Sequence, residues 1–212
     1  MNASTPTSSF PFARLRQFAR KPSDSHRCEL CAAAVAEEHQ HLLDMSARRI
    51  LCCCDACAVL FSGQQNSRFK RIPRQIETLA DFQLTDAQWE NLRLPINLAF
   101  FYSNSAAGRV VAMFPSPAGA TESLLSLETW SDLAAANPVL ARLCPDVEAL
   151  LVDRLGENRR YFKVPIDECY KLVGLIRAHW RGLSGGSEVW AHIEAFFDSL
   201  ARRSVTIGAA HA

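Results

Sequence analysis

The sequence has almost no excess of either charge: 23 Lys and Arg against 22 Asp and Glu leave a net charge of +1. That argues against a broad electrostatic surface for DNA or anionic membrane. Nor does any apolar run approach the roughly 20 residues that span a bilayer. The N-terminal stretch MNASTPTSSFPFARLRQFARKPSD holds no apolar core of signal-peptide length, so a cytoplasmic protein is expected. A Gly-rich phosphate loop, a G-x-S-x-G elbow and an H-E-x-x-H helix are all missing. The one glycine-rich run, Gly182 to Gly186, reads as a connector between helices. No catalytic residue and no organic cofactor are therefore expected, and the sequence leans away from an enzyme.

What the chain does have is cysteine in a cluster. Six of its eight cysteines fall between Cys28 and Cys57, while Cys144 and Cys169 stand apart and read as packed thiols. In a reducing compartment, short regular spacing points to metal or redox chemistry rather than to disulfides. Cys28-Glu-Leu-Cys31 and Cys54-Asp-Ala-Cys57 are two C-x-x-C knuckles separated by 22 residues. Each knuckle puts two thiolates on one side of a tight loop, and two facing knuckles make a tetrahedral S₄ site for zinc or a single iron. Between them HLLDM (41–45) and RILCC (49–53) read as strands turning at Ser46-Ala47-Arg48. A zinc-ribbon-like module over 26–61 is expected, with Cys28, Cys31, Cys54 and Cys57 as ligands.

Three residues compete for that assignment. On a strand, Cys52 and Cys54 would project to the same side and Cys53 to the other. Cys52 could then replace Cys54, support the ligands, or act in redox chemistry. His39 and His41 share a face of the first strand and offer a Cys₃His alternative. As for the metal, rubredoxin-type iron sites usually place glycine after each C-x-x-C, whereas Ala32 and Ala58 follow here. Zinc is favoured and single iron is the alternative. A dithiol oxidoreductase is weaker still, because neither knuckle reads as a strand-to-helix junction in a βαβ pattern.

Around this module the expected organisation is a flexible tail over 1–25, with a basic patch at Arg14, Arg16, Arg20 and Lys21. A solvated basic linker covers 62–75 (Arg68, Lys70, Arg71, Arg74), an α+β domain 76–205, and a second tail 206–212. The domain should carry a mainly antiparallel sheet closed by amphipathic helices. Thr85 to Gln88 has the form of a capping box. INLAFFY (96–102) and RVVAMF (109–114) form a hairpin, with a short strand near Glu122–Leu125. A helix covers Glu128–Ala136, and VEALLVDRL (147–155) and YFKVP (161–165) form another strand pair. Asp167 and Ser187 are expected to cap two helices with stripes Cys169, Leu172, Val173, Ile176, Trp180 and Trp190, Ile193, Phe197, Leu200. His179 and His192 each lie on an expected helix and read as surface or satisfied residues rather than ligands. Asp153, Arg154, Arg159, Arg160 and Lys163 read as a salt-bridged hairpin.

The run RCELCAAAVAEEHQHLLDMSARRILCCCDACAVLF (27–61), the RFKRIP connector (68–73), VDR, and RRYFKVPIDECYKLVGLIR (159–177) resemble an uncharacterised bacterial family. Its genes lie beside those of [NiFe] hydrogenases, notably the high-affinity type of actinobacteria and some proteobacteria. The resemblance covers nearly the whole chain apart from its first dozen and last few residues. It implies an accessory role in hydrogenase assembly or electron delivery, with a hydrogenase subunit or maturation factor as partner. Members tend to carry C-x-C-x-x-C, which Cys52, Cys54 and Cys57 match, with Cys53 an addition. A nucleic-acid-binding ribbon regulator is the remaining reading, which the near-neutral charge disfavours.

Overall fold

The computed structural model describes residues 26–62, 67–123, 127–182 and 185–207. The expected N-terminal tail and its basic patch lie outside these residues. The chain order is β1 (Gln40–Asp44), β2 (Arg49–Cys53), α1 (Asp55–Ser62), β3 (Phe69–Arg71), β4 (Glu77–Leu79), α2 (Asp86–Asn91), β5 (Leu98–Asn104) and β6 (Arg109–Ser116). There follow β7 (Gly119–Ser123), α3 (Leu127–Ala136), a 3₁₀ turn (Pro138–Arg142), β8 (Glu148–Asp153), β9 (Arg160–Pro165), α4 (Ile166–His179), α5 (Gly186–Arg203) and β10 (Val205–Ile207).

Two sheets result. A small antiparallel one has the order β2-β1-β3, and a large one runs β10-β4-β9-β8-β5-β6-β7. In the large sheet every pairing is antiparallel except β10 with β4. The α+β class expected from the order of elements is what forms.

Strand alternation splits the large sheet into two apolar faces. Leu98, Phe100, Ala149, Leu151, Phe162 and Val164 face α4 and α5, whose Cys169, Leu172, Ile176, Val189, Ile193, Phe197 and Leu200 complete that core. Ala99, Phe101, Leu150, Val152 and Tyr161 face the other way, toward Trp89 and Leu92 of the α2 region and Leu133 of α3. Covering both faces is why β8 is buried along its whole length. The capping box forms as read: the Gln88 amide donates to the Thr85 hydroxyl, and the Thr85 amide to the Gln88 side chain.

Several expectations are corrected. The stretch read as a solvated linker contains β3, and each of its four bases finds an acceptor: Arg68 on Asp44, Lys70 on Asp146, Arg71 on Gln40, Arg74 on Glu38. Val205–Ile207, at the edge of the expected second tail, form β10 beside β4. Pro115 sits within β6, opposite Ala120, so β7 starts at Gly119, earlier than expected. Ser187 lies inside α5, which is capped by Gly185 at φ 88°, a left-handed conformation suited to glycine. Asp167 lies in the first turn of α4, not at its cap, and its side chain goes elsewhere. Val189 takes the core position expected for Trp190, which is 43% exposed. Cys169 is buried, but Cys144 is exposed.

The charged hairpin is ion-paired, as read. Asp153 is fully buried against Arg160, which also meets Glu194 and Asp198. Arg154, only 3% exposed, binds Asp86, the Leu84 carbonyl and the Tyr161 hydroxyl and lies over Trp89.

The small sheet sits on the large structure. Leu42, Leu51 and Cys53 turn one way and are buried, while Leu43 and Ile50 on the opposite face pack against the α4–α5 core. The β1–β2 turn is tied by Asp44, whose carboxylate accepts from the Ser46 amide (3.0 Å), the Ser46 hydroxyl (2.7 Å) and the Ala47 amide (3.1 Å). Arg68, then Ser46, hold the Asp44 carboxyl well below the usual carboxylate range. A depressed folded-state pKa stabilises above the unfolded value of about 3.9 and is lost as pH falls through the folded one. Asp44→Asn is therefore expected to lower the melting temperature at neutral pH and flatten its acid decline. Thermal melts at pH 7 and pH 3 check this, and an equal acid decline in both proteins would refute it.

Candidate metal centre

The first knuckle is closed by backbone bonds: the Ala32 amide to the Cys28 carbonyl and the Cys28 amide to the Ala33 carbonyl, both 2.8 Å. Ala32 adopts φ 63°, the conformation that glycine supplies at little cost. A left-handed L-residue costs about 1–2 kcal/mol, and glycine's extra freedom in the unfolded chain offsets part of that. Ala32→Gly is thus expected to raise stability by about 0.5–1 kcal/mol, read from chemical denaturation.

The second knuckle is built differently. β2 stops at Cys53, Cys54 caps the turn, and Cys57 lies in the first turn of α1, with the Ala58 amide on the Cys54 carbonyl at 2.9 Å. The expected alternation that would place Cys52 beside Cys54 ends with the strand. Cys54–Cys57 does lie at a strand-to-helix junction, contrary to the expectation, although β1 is inserted between β2 and β3. Glu29 links the knuckles: its amide donates to the Cys52 carbonyl (2.8 Å), and its carboxylate accepts from the Cys52 amide (2.7 Å).

These elements gather Cys28, Cys31, Cys54 and Cys57, whose sulfurs all lie within 4.8 Å of one another. Cys31 Sγ and Cys54 Sγ are 3.7 Å apart. Two sulfurs bound to one tetrahedral zinc at about 2.3 Å stand about 3.8 Å apart, so that edge is already at ligand spacing. The donor set therefore fits a thiophilic cation, and the four-cysteine group could hold a metal ion.

The electrostatics agree. Burial pushes the Cys28 thiol up, but the amides of Cys54, Cys31 and Leu30 aimed at its sulfur outweigh burial and hold it at about 6. At Cys31 the Ala33 amide favours thiolate, yet the sulfurs of Cys28 and Cys54 raise the thiol overall. Cys57 is raised by burial and by the three other sulfurs. One thiolate thus forms readily and discourages the others, a conflict that a divalent cation resolves. Cys53 is no ligand candidate: it packs between Cys28, Leu42 and Cys57, its thiol donates to the Gln40 carbonyl at 3.4 Å, and burial pushes it up to about 11.

The competing residues are brought together away from this group. His39, His41 and Cys52 form a second cluster, their ligand atoms within 4.8 Å of one another. His179 and His192, read as surface or satisfied residues, also meet, with ring centroids 3.8 Å apart and Glu188 at 3.5 and 3.6 Å. Local sequence pairs His39 with His41, but Cys52 joins them only through the β1–β2 register, and His179 meets His192 only because α4 packs on α5.

Among the described residues no helix is long and apolar enough to cross a membrane. No curated protein and no solved structure matches the chain. The profile of the Family of unknown function (DUF5947) matches residues 27–204, which take in both knuckles, the small sheet and every strand of the large sheet except β10, and the chain belongs to that family.

Proposed function

We propose that the protein is a non-enzymatic accessory factor whose Cys28, Cys31, Cys54 and Cys57 hold structural zinc in a ribbon-like module, and which serves [NiFe]-hydrogenase maturation or assembly. The observation that carries the metal assignment is the gathering of four sulfurs from two distant knuckles, one edge already at 3.7 Å. The module's own core supports it. Its cluster has five buried residues, three of them the thiols Cys28, Cys53 and Cys57. Against an ordering cost of about 1–2 kcal/mol per residue, so small a core needs a metal cross-link and the neighbouring domain.

The partner assignment rests on the sequence resemblance and on α1. That helix leaves Val59, Leu60 and Phe61 exposed by 66%, 69% and 42%, an apolar patch on the element that the metal fixes. In this reading the patch docks a hydrogenase subunit or maturation factor. A pull-down from hydrogenase-expressing cells should recover such a protein with the native chain and lose it with Leu60→Glu. Retention of DNA in its place would favour a ribbon regulator.

A rubredoxin-like iron carrier is the second reading. It is favoured by the left-handed Ala32, which supplies the backbone form usually given by glycine, and by the amides on Cys28. Metal analysis with a visible spectrum separates the two. Colourless protein with zinc supports the accessory reading, and red protein with thiolate-to-iron absorption overturns it.

A further inference from the structure

We infer that His39, His41 and Cys52 form a second metal site, holding an exchangeable divalent transition cation such as Zn²⁺ through Nε2 of both histidines and Sγ of Cys52. The register brings them together. His41 and Cys52 are direct partners across β1 and β2, and His39, one residue before β1 begins, turns its side chain to the same pair. The His39 and His41 rings meet edge to face with centroids 4.8 Å apart.

Hydrogen bonding fixes which nitrogens remain for a ligand. His39 Nδ1 lies 2.9 Å from the Ala36 carbonyl and 3.0 Å from the Glu37 carbonyl, groups that only accept, so Nδ1 carries the proton. The lone pair is then on Nε2, which is buried and has no hydrogen-bond partner among the described residues. His41 Nδ1 donates to Asp167 Oδ2 at 2.7 Å, leaving Nε2 as its free ring nitrogen. A carboxylate or carbonyl on one imidazole nitrogen, with the other turned to a metal, is the arrangement that orients histidine ligands. Asp167 Oδ1 is likewise buried with no hydrogen-bond partner among the described residues, so the carboxylate that orients His41 keeps a spare acceptor behind the cluster.

Two neutral imidazoles and one thiolate suit a borderline cation of the zinc kind better than calcium or magnesium. Bound to one zinc, the three donor atoms would stand about 3.3–3.6 Å apart, a contraction of at most about 1.5 Å from the observed limit of 4.8 Å that side-chain adjustment can supply. The cluster lines a cleft of about 500 Å³ between the small sheet and α4. A fourth coordination position would therefore open to solvent, unlike the four-sulfur group, where four cysteines would complete the tetrahedron.

The test uses the full-length chain dialysed against Zn²⁺, with bound metal counted per chain. About two ions are expected, one for each site, and brief treatment with a chelator should remove one of them first. His39→Gln and Cys52→Ser should each retain about one ion. Their Co²⁺-substituted forms should keep the thiolate-rich spectrum of the four-cysteine site and lack the second, nitrogen-rich component. Saturation of the native chain at one ion with a purely thiolate Co²⁺ spectrum overturns this site and leaves the four-cysteine reading standing. One ion lost in Cys52→Ser but kept in Cys57→Ser supports this site and overturns the other.

Discussion

Removing the metal proposed for the four-cysteine group, by a strong chelator or by Cys57→Ser, is expected to unfold the small sheet while the large one stays folded. Structural zinc contributes on the order of 10 kcal/mol of folding free energy to small modules, more than the five-residue core of this one can replace. Amide protection at Leu42 and Leu51 should fall at least about 1,000-fold, the equivalent of about 4 kcal/mol. Phe100 and Leu151, buried in the centre of the large sheet, should stay protected. Because Leu43 and Ile50 pack against the α4–α5 core, the large structure should also lose some stability without losing its fold. Acid should act like the chelator, since protons compete for the thiolates. Hydrogen exchange followed residue by residue decides the matter. Unchanged protection in β1 and β2 after complete metal removal would show that the thiols brace nothing.

How much of this was legible beforehand depends on how local the causes are. The knuckles are readable because C-x-x-C is a chemical spacing, and the β1–β2 hairpin because HLLDM and RILCC are short apolar-rich runs on either side of the Ser46-Ala47-Arg48 turn. A long element such as α4 announces itself by period, and β8 by an unbroken apolar run, Ala149 to Val152. β3, β4 and β10 have three residues each, too few for a period, and exist because a neighbouring strand presents free backbone groups. Asp167 obeyed a sound local rule for a helix cap and was overruled by His41, 126 residues earlier in the chain. The basic run looked solvated because it has no nearby acid in sequence. Lys70 finds its acid in Asp146, 76 residues on, at 2.5 Å. Pairings at such separation leave no trace in a single sequence.

β2 explains why so many cysteines stand in one run. Cys53 turns into the module's core beside Cys28 and Cys57, Cys52 turns to the cleft with His41 and His39, and Cys54 ends the strand and joins the four-sulfur group. Glu29, from the first knuckle, bonds the backbone of Cys52 in both directions. Order at the four-cysteine group is thus passed directly to the residue that completes the second cluster. The dependence runs mainly one way, because the knuckles make no comparable use of His39 or His41.

The largest effect expected of a single substitution outside the module belongs to Lys163. In the middle of β9 it lies 3.2 Å from Glu77 and 3.0 Å from Glu148, and the three side chains are only 14%, 9% and 6% exposed. Burial lowers the Lys163 pKa, but Glu148 and Glu77 outweigh it and raise the ammonium above its usual range. A raised folded-state pKa gives stability that is complete below the unfolded value of about 10.4 and lost as pH climbs through the folded one. Lys163→Met removes the cation and leaves two facing buried carboxylates. Breaking a buried pair in this way costs about 3–5 kcal/mol, against about 0–1 for a surface pair. The deficit should be greatest at neutral pH and shrink in acid, where a proton removes one of the two charges, and the variant should lack the alkaline decline. Adding Glu77→Gln and Glu148→Gln to Lys163→Met should restore most of the loss, because no uncompensated charge is then buried. Urea denaturation of the three proteins at pH 7 and pH 5 measures each step. A loss under about 1 kcal/mol for Lys163→Met at pH 7 would mean that water reaches the pair and that the sheet does not depend on it.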